Sequence, residues 1–275
     1  MVVSYVLNLN RVMDNGATEP LLGTIKQDDT TYNCIIKTKG NIGGVRTLIN
    51  EYIAGQLAVR LGLPVPDNGF ALLDKNTIVD SECSENISEF DFGSCFYSRL
   101  IEHVVPLNGL SAAQVDNIDD IYKLLLFDGL IYNCDRNPGN LLVTFSKSKR
   151  KFYAIDHSNV FMRGHARWDA GYFKGRMTLD DLYDESFLLD NEAQYQYFYS
   201  NKFINPQTLM STASDFQDKC THSFIQTLVN SVPEDLLTEV SMQDLNSIGE
   251  FLSFRITHFP QICDMIIRHL ERRNG

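Results

Sequence analysis

Short apolar runs alternate with polar turns along the first hundred residues. "SYVLNLNRVM", "LLGTIK", "TYNCIIKT" and "GFALLD" read as strands. "DNGATEP", with Gly16 and Pro20, and "QDDT" read as turns. Between the third and fourth strands, "TLINEYIAGQLAVRLGLPVP" sets Leu48, Ile49, Tyr52, Ile53, Leu57 and Leu61 at helical spacing. Gly62 and then Pro64 end that helix. "DKNTIVDSECSENISEFDFG" is polar and reads as a loop with short strand pieces.

From about Leu107 the period changes. "IDDIYKLLLFDGLIYN" predicts a long, largely buried helix. "NLLVTF" and "KFYAIDH" predict two strands joined by the basic turn "SKSKRK", Ser146 to Lys151, which makes a hairpin. After Thr178 the pattern is helical to the end, through "LDDLYDESFLLD", "EAQYQYFYS", "SDFQDKCTHSFIQTLVNSV", "PEDLLTEV" and "FLSFRITHFPQICDMIIRHLERR". There is no internal repeat. A β-rich first part with one key helix and a mainly helical second part predict an α+β, bilobal fold with a cleft between the lobes. The expected division is residues 1–100 as a nucleotide-binding N-lobe and 101–275 as a C-lobe.

Composition narrows the function classes. The 275 residues suffice for a sizeable core. A net charge of −11, from 24 basic and 35 acidic residues, is a poor match for a phosphate backbone, so no direct nucleic-acid binding is expected. The basic turn reads as a solvated face. Six scattered cysteines without a CxxC pair argue against a zinc site or a disulfide framework and fit a reducing cytoplasm. The start of the chain lacks the pattern of a signal peptide, and no run of residues suits a membrane span.

The chemistry concentrates in "NCDRNPGNLLV". Asp135 and Asn140 lie five positions apart between a helix and a strand, and Asp156 ends the second strand of the hairpin. Adjacent hairpin strands bring Asn140 and Asp156 to one edge, where two oxygen ligands suit Mg²⁺ beside substrate phosphates. Asp135 is placed to orient a hydroxyl and accept its proton. A D-x-x-x-x-N loop followed by a strand-borne Asp is the arrangement of phosphoryl-transferring kinases. Asn-Pro-Gly by itself is also an ordinary turn.

A kinase needs a strand lysine paired with a helix glutamate. Lys37 and Glu51 fill these positions, and Gly55 and Ala58 keep the face of Glu51 small. Lys39, on the same side of the strand, competes with Lys37. A strand-end lysine contributes little to a core, so loss of Lys37 is expected to leave the fold intact. The phosphate cover is expected at Gly16, Ala17 and Thr18, with Gly43 and Gly44 as a second candidate. Asp91-Phe92-Gly93 spells a kinase metal motif but precedes the catalytic loop, and reads as loop or hinge. His157 and Cys134 read as packed side chains.

In this order, "CIIKTKGNIGGVRTLINEYIAGQLAVRLGLPVP", "FDGLIYNCDRNPGNLLV" and "FYAIDHSNVF" resemble the bacterial HipA-like kinases, and more distantly the phosphatidylinositol 3-/4-kinases. The resemblance implies ATP and Mg²⁺ bound between lobes, Asp135 as the catalytic aspartate, Asn140 and Asp156 as metal ligands, and Lys37 on the phosphates. "DRNPGN" departs from the lipid-kinase loop "DRHxxN" at Asn137, which leaves Asp135 to serve alone as base. The implied function is phosphorylation of a protein Ser or Thr, with a protein substrate and an antitoxin-type partner. Lipid or small-molecule phosphorylation, and a nucleotide-binding pseudokinase, are the alternatives.

Overall fold

The computed structural model describes residues 4–13, 19–145, 150–163 and 167–274. The strand expectations of the first part are met by β1 (Ser4–Val12), β2 (Leu21–Gln27), β3 (Thr30–Lys37) and β4 (Asn68–Leu73). Helix α1 spans Gly44–Leu61, starting three residues before the quoted helical segment and ending at Gly62 as expected. A short β5 (Ile78–Val79) lies in the polar loop.

Sequence periodicity missed β6 (Gly93–Arg99), which sits between β3 and β4. Its composition explains the omission: Ser94 and Ser98 dilute a three-residue apolar stretch. With β6 in place, the pairings β1–β2–β3–β6–β4–β1 close into a ring, and β5 adds to β1. Register shifts between Val6 and Asn8 and between Leu9 and Arg11 let β1 bend so that it serves β2, β4 and β5. Val6, Leu9, Leu21, Ile25, Ile36, Leu73 and Tyr97 fill the ring with a core of its own.

The second part opens with β7 (Val104–Pro106), also unforeseen, and a short α2 (Gly109–Ala112). Helix α3 (Ile121–Ile131) then leads to the hairpin β8 (Leu141–Thr144) and β9 (Phe152–Ala154). β7 joins the hairpin as a third strand. The remainder is helical: α4 (Ala170–Arg176), α5 (Ser186–Asp190), α6 (Glu192–Ser200), α7 (Pro206–Lys219), α8 (His222–Val229), α9 (Met242–Thr257) and α10 (Phe259–Asn274). Two long apolar patterns divide. Thr221 caps α8 by accepting from the Phe224 N–H, which separates α8 from α7. Pro260, in the first turn of α10, cannot extend α9.

Helix α1 joins the ring to the helical core: Tyr52 packs on Phe70, and Gly55 and Gln56 meet Asn68, both residues of β4. Leu48, Ile53, Leu57 and Leu61 share one apolar cluster with α3, α7, α8, α9 and α10. Among the described residues no helix is long and apolar enough to cross a membrane.

Candidate active site

Lys37 is the last residue of β3 and is only 5 % exposed. An ammonium has three N–H donors. Those of Lys37 reach Glu51 Oε1 at 2.5 Å, Ser158 Oγ at 2.7 Å and Asp156 Oδ1 at 3.1 Å. Glu51, on the buried side of α1, also accepts from the Ser158 hydroxyl at 3.0 Å and from the His157 N–H at 3.0 Å. Gly55, one turn along α1, stands so close to Asn68 that a Cβ would lie 2.5 Å from Asn68 Oδ1. The small face expected beside Glu51 is therefore used for close approach of β4.

Charge follows from this packing. Burial opposes the Lys37 ammonium, yet Glu51 and Asp156 outweigh it and hold Lys37 above its ordinary range. Burial likewise opposes the Asp156 charge, but Lys37 and Ser158 hold that carboxyl well below the usual carboxylate range. Burial pushes the Glu51 carboxyl up, against the pull of Lys37.

Asp156 follows β9 by two residues and has φ 56°, the left-handed region that Asp and Asn tolerate better than most. Its side chain is 31 % exposed. Lys37 Nζ and the Ser158 N–H both fall on Oδ1, which leaves Oδ2 for a ligand. The hairpin register pairs Leu141 with Ala154, and the Ile155 N–H donates to the Asn140 carbonyl at 3.0 Å. Asn140 and Asp156 thus stand at the same edge. The Asn140 amide nitrogen donates to the Asp135 carbonyl at 2.7 Å, so its amide oxygen is the atom left to bind a cation.

Asp135 is half-buried in the loop after α3. Its carboxylate accepts from Asn137 Nδ2 at 3.1 Å and Asn159 Nδ2 at 3.0 Å. The loop itself is fixed from below. Arg136 is fully buried and donates to Asp128 through Nε at 3.0 Å and Nη2 at 2.9 Å, and to the Ile155 carbonyl through Nη1 at 3.0 Å. Asp128 also accepts from Asn133 at 3.0 Å and from the Tyr195 hydroxyl. Asn191 accepts from the Arg136 N–H at 2.8 Å and donates to the Asn133 carbonyl at 2.7 Å. Arg136 therefore ties the Asp135 loop to the peptide that precedes Asp156.

Sequence reasoning missed Asp128, Arg136, Ser158 and Asn159. The signal for Asp128 was available: it is the one charged residue in "LLLFDGLIYN". A lone acid in an apolar helix needs a buried partner.

A cavity of about 490 Å³ lies between the ring and the hairpin. Ile35 and Phe96 of the ring, Leu142 and Ala154 of the hairpin, and the polar pair Lys37 and Asp156 line it. Apolar walls around a few convergent polar groups are the usual build of a small-molecule site. Met13 and Pro20 also reach it. They bracket the segment that carries Gly16, Ala17 and Thr18, which lie outside the described residues. Gly43 caps α1, Gly44 opens it, and neither lines the cavity. A larger groove, about 770 Å³, lies by Arg99, His103 and Lys151 and includes none of the expected site residues.

The remaining expectations resolve individually. Lys39 lies past the end of β3 and pairs with Asp235 at 3.4 Å instead of competing for Glu51. Asp91 accepts from Thr38 Oγ1 at 2.5 Å and the Gly40 N–H at 2.7 Å, which makes it a staple of the turn after Lys37. His157 is packed, with its ring edge-on to Phe127 at 5.8 Å, and burial with nearby Arg136 holds it well below its usual titration range. Burial pushes the Cys134 thiol up to about 12, which suits an inert side chain.

One expectation is corrected. Lys37 does end a strand, but as half of a buried ion pair rather than a residue that contributes little to the core. Removing one partner of such a pair leaves an uncompensated charge and costs about 3–5 kcal/mol. Lys37→Met should therefore lose both activity and stability. Adding Glu51→Gln should restore much of the melting temperature and none of the activity. Lys39→Met should change turnover by no more than about a few fold, since its ion-pair partner, at 3.4 Å, is Asp235 and not Glu51 or Asp156. Melting curves and turnover of the four proteins check this set.

A family model of HipA-like kinases matches residues 6–170, more than half of the chain. The protein belongs to the HipA-like kinase family. Its fold is similar to that of the Helicobacter pylori proinflammatory kinase CtkA, with a TM-score of 0.60 and 13 % identity over 98 % of this chain and 97 % of that one. It is also similar to a chain of the Shewanella oneidensis MR-1 toxin–antitoxin complex of HipA, HipB and operator DNA. There the TM-score is 0.51, with 14 % identity over 94 % of this chain and 67 % of that one. Comparison with curated proteins gives no match.

Proposed function

We propose that this kinase uses ATP and Mg²⁺ to phosphorylate a Ser or Thr hydroxyl of a protein, with residues 1–100 and 101–275 forming the two lobes of a kinase-like fold. The observation that carries this reading is the position of Lys37. Its ammonium meets both Glu51 and Asp156 at the wall of the cavity. Asp135, Asn140 and Asp156 are joined by the contacts of Asn140 and Arg136.

The donor set fits Mg²⁺. Among the described residues no group of three or more His, Cys, Asp or Glu could cage a metal alone. Mg²⁺ is commonly held by one or two protein oxygens, with phosphates and water completing the octahedron. Asn140 and Asp156 supply that number. When bound, the ion neutralises charge on the transferring phosphoryl group. Lys37 would hold the ATP phosphates, and Glu51 would keep Lys37 in place. Asp135 would orient the acceptor hydroxyl and take its proton, with Asn137 and Asn159 fixing its carboxylate. Gly16, Ala17 and Thr18 are proposed to cover the phosphates, and the approach of Met13 and Pro20 to the cavity supports this.

The Shewanella HipA occurs with HipB and operator DNA. An antitoxin-type protein partner is proposed here on that likeness, and a cytoplasmic setting on the free cysteines. The test of substrate class is transfer of labelled γ-phosphate followed by phosphoamino-acid analysis. Phosphoserine or phosphothreonine is expected. Label confined to lipid or to a small molecule would refute a protein substrate.

A further inference from the structure

Lys37 and its two acid partners stand on different packing units. Lys37 ends a strand of the ring, whose core is its own. Glu51 lies on α1, whose Leu48, Ile53, Leu57 and Leu61 belong to the helical core while Tyr52 and Gln56 meet β4. Asp156 follows the hairpin, whose Leu141, Phe152 and Ala154 belong to that same core. Any shift of the ring against the helical body would change the distances from Lys37 to Glu51 and Asp156. Phe96 and the half-buried Phe70 cross this joint as apolar contacts. Apolar contact is non-directional and lets surfaces slide. A hydrogen bond holds a distance and an angle.

Fixed links of this kind cross the joint: Gln56 of α1 donates to the Asn68 carbonyl at 2.9 Å, and a carboxylate from between α8 and α9 reaches β6, the strand paired with the end of β3. Asp235 lies in the turn Glu234–Thr238 between α8 and α9. Its Oδ2 accepts from the Ser94 N–H at 2.8 Å, and its Oδ1 accepts from the Ser94 hydroxyl at 2.7 Å. Lys39 Nζ approaches Oδ2 at 3.4 Å, two residues beyond Lys37. The backbone is shaped for this grip. Gly93 has φ 120°, and a Cβ there would lie 2.4 Å from Asp235 Oδ2 and 2.8 Å from Lys39 Nζ. On the other side of the same turn, Asp91 binds Thr38 and Gly40. The segment that leaves Lys37 is thus pinned at consecutive residues, and Asp235 is the pin that belongs to the helical body.

We propose that Asp235 is a positioning residue for phosphoryl transfer: by gripping Ser94 and Lys39 it holds the strand ring closed on the helical body, with Lys37 in reach of Glu51 and Asp156 before nucleotide binds. This rests on the reading that Lys37 and Asp156 meet the nucleotide. A protein whose competent arrangement is only partly populated binds ligand more weakly in proportion to that fraction. Bound nucleotide touches both units and restores the closed arrangement once the site is saturated.

The test is calorimetric titration of Mg-ATP and steady-state ATP turnover on wild type, Asp235→Ala, Ser94→Ala and the double variant. Asp235→Ala should weaken Mg-ATP binding and raise KM about tenfold, while kcat stays within about twofold. Ser94→Ala should give a smaller change of the same kind. The double variant should resemble Asp235→Ala alone, because the two act through one link. Asp235→Asn, which keeps acceptor oxygen for one of the two Ser94 donors, should fall between. A lowered melting temperature with unchanged ATP affinity would overturn the proposal, as would a fall in kcat at unchanged KM. Should Asp235→Ala not fold, unchanged affinity in Ser94→Ala decides against it. If wild type itself binds no Mg-ATP, the nucleotide reading falls and takes this one with it. If wild type binds and the variants match it, only the role of Asp235 falls.

Discussion

Asp135→Asn should lower phosphotransfer by about 10²–10⁴-fold, the usual worth of a positioned general base. It should leave most of the nucleotide-dependent stabilisation in place. The reason is geometric. The Asp135 carboxylate accepts from Asn137 and Asn159 and makes no contact with Lys37 or Asp156 among the described residues. Its link to Asn140 runs through its backbone carbonyl, which accepts from the Asn140 amide, and the substitution leaves that carbonyl untouched. An Asn at position 135 keeps one acceptor oxygen, so one of the two side-chain bonds survives. It cannot take a proton from a hydroxyl. Turnover and ATP-dependent melting, measured side by side on wild type and Asp135→Asn, check the expectation. Turnover close to wild type would mean that "NCDRNPGN" is a turn and not a catalytic loop.

Arg136→Met should destabilise the protein by about 3–5 kcal/mol. Arg136 and Asp128 are both fully buried, and their ion pair is 2.9 Å at its closest contact. Removal of the guanidinium leaves the Asp128 charge in the core with only Asn133 and Tyr195 as donors. It also frees the Ile155 carbonyl, which Arg136 holds next to Asp156. For a chain of this length the loss corresponds to a drop of roughly 10 °C in melting temperature, at about 2–4 °C per kcal/mol. Adding Asp128→Asn removes the stranded charge while keeping an acceptor for Tyr195, and should recover part of that drop. Activity should stay low in the double variant, because the tie between the Asp135 loop and Asp156 is still missing. Denaturation of the three proteins and their turnover test both halves. A melting temperature within about a degree of wild type would show that Arg136 does not support the loop.

Elements with a strong local period were legible in the sequence. Helix α1 carries apolar residues at helical spacing and a glycine stop, and the β8–β9 hairpin shows as two apolar runs around a basic turn. β6 was not, because its assignment depends on what lies beside it. Ser94 and Ser98 break its alternation, and only pairing with β3 and β4 makes it a strand. The same holds at the site. Asp135, Asn140 and Asp156 could be gathered from one loop and one hairpin, because both contacts are local. The sequence favours Lys37 yet leaves Lys39 a competitor, because the end of β3 is set by the turn that Asp91 staples from a segment more than fifty residues away. Arg136 reads as one more polar residue of a turn until Asp128, Asn191 and Ile155 surround it. The contribution of the tail was illegible for a similar reason: Asp235 acts on Ser94 and Lys39, and no spacing in the sequence links them.

Melting of wild type and Asp156→Asn with ATP, in Mg²⁺ and in excess chelator, is the most direct test of a metal-dependent nucleotide site. Asn tolerates the left-handed backbone at position 156, so the substitution changes charge and ligand strength with little strain. With ATP and Mg²⁺ at about 100 times the dissociation constant, wild type should gain about 2.7 kcal/mol of stability. The gain should shrink sharply in chelator and in Asp156→Asn, with turnover lost in both. Equal stabilisation of wild type and Asp156→Asn, or stabilisation indifferent to Mg²⁺, would contradict a phosphoryl-transfer centre built on Lys37, Asn140 and Asp156.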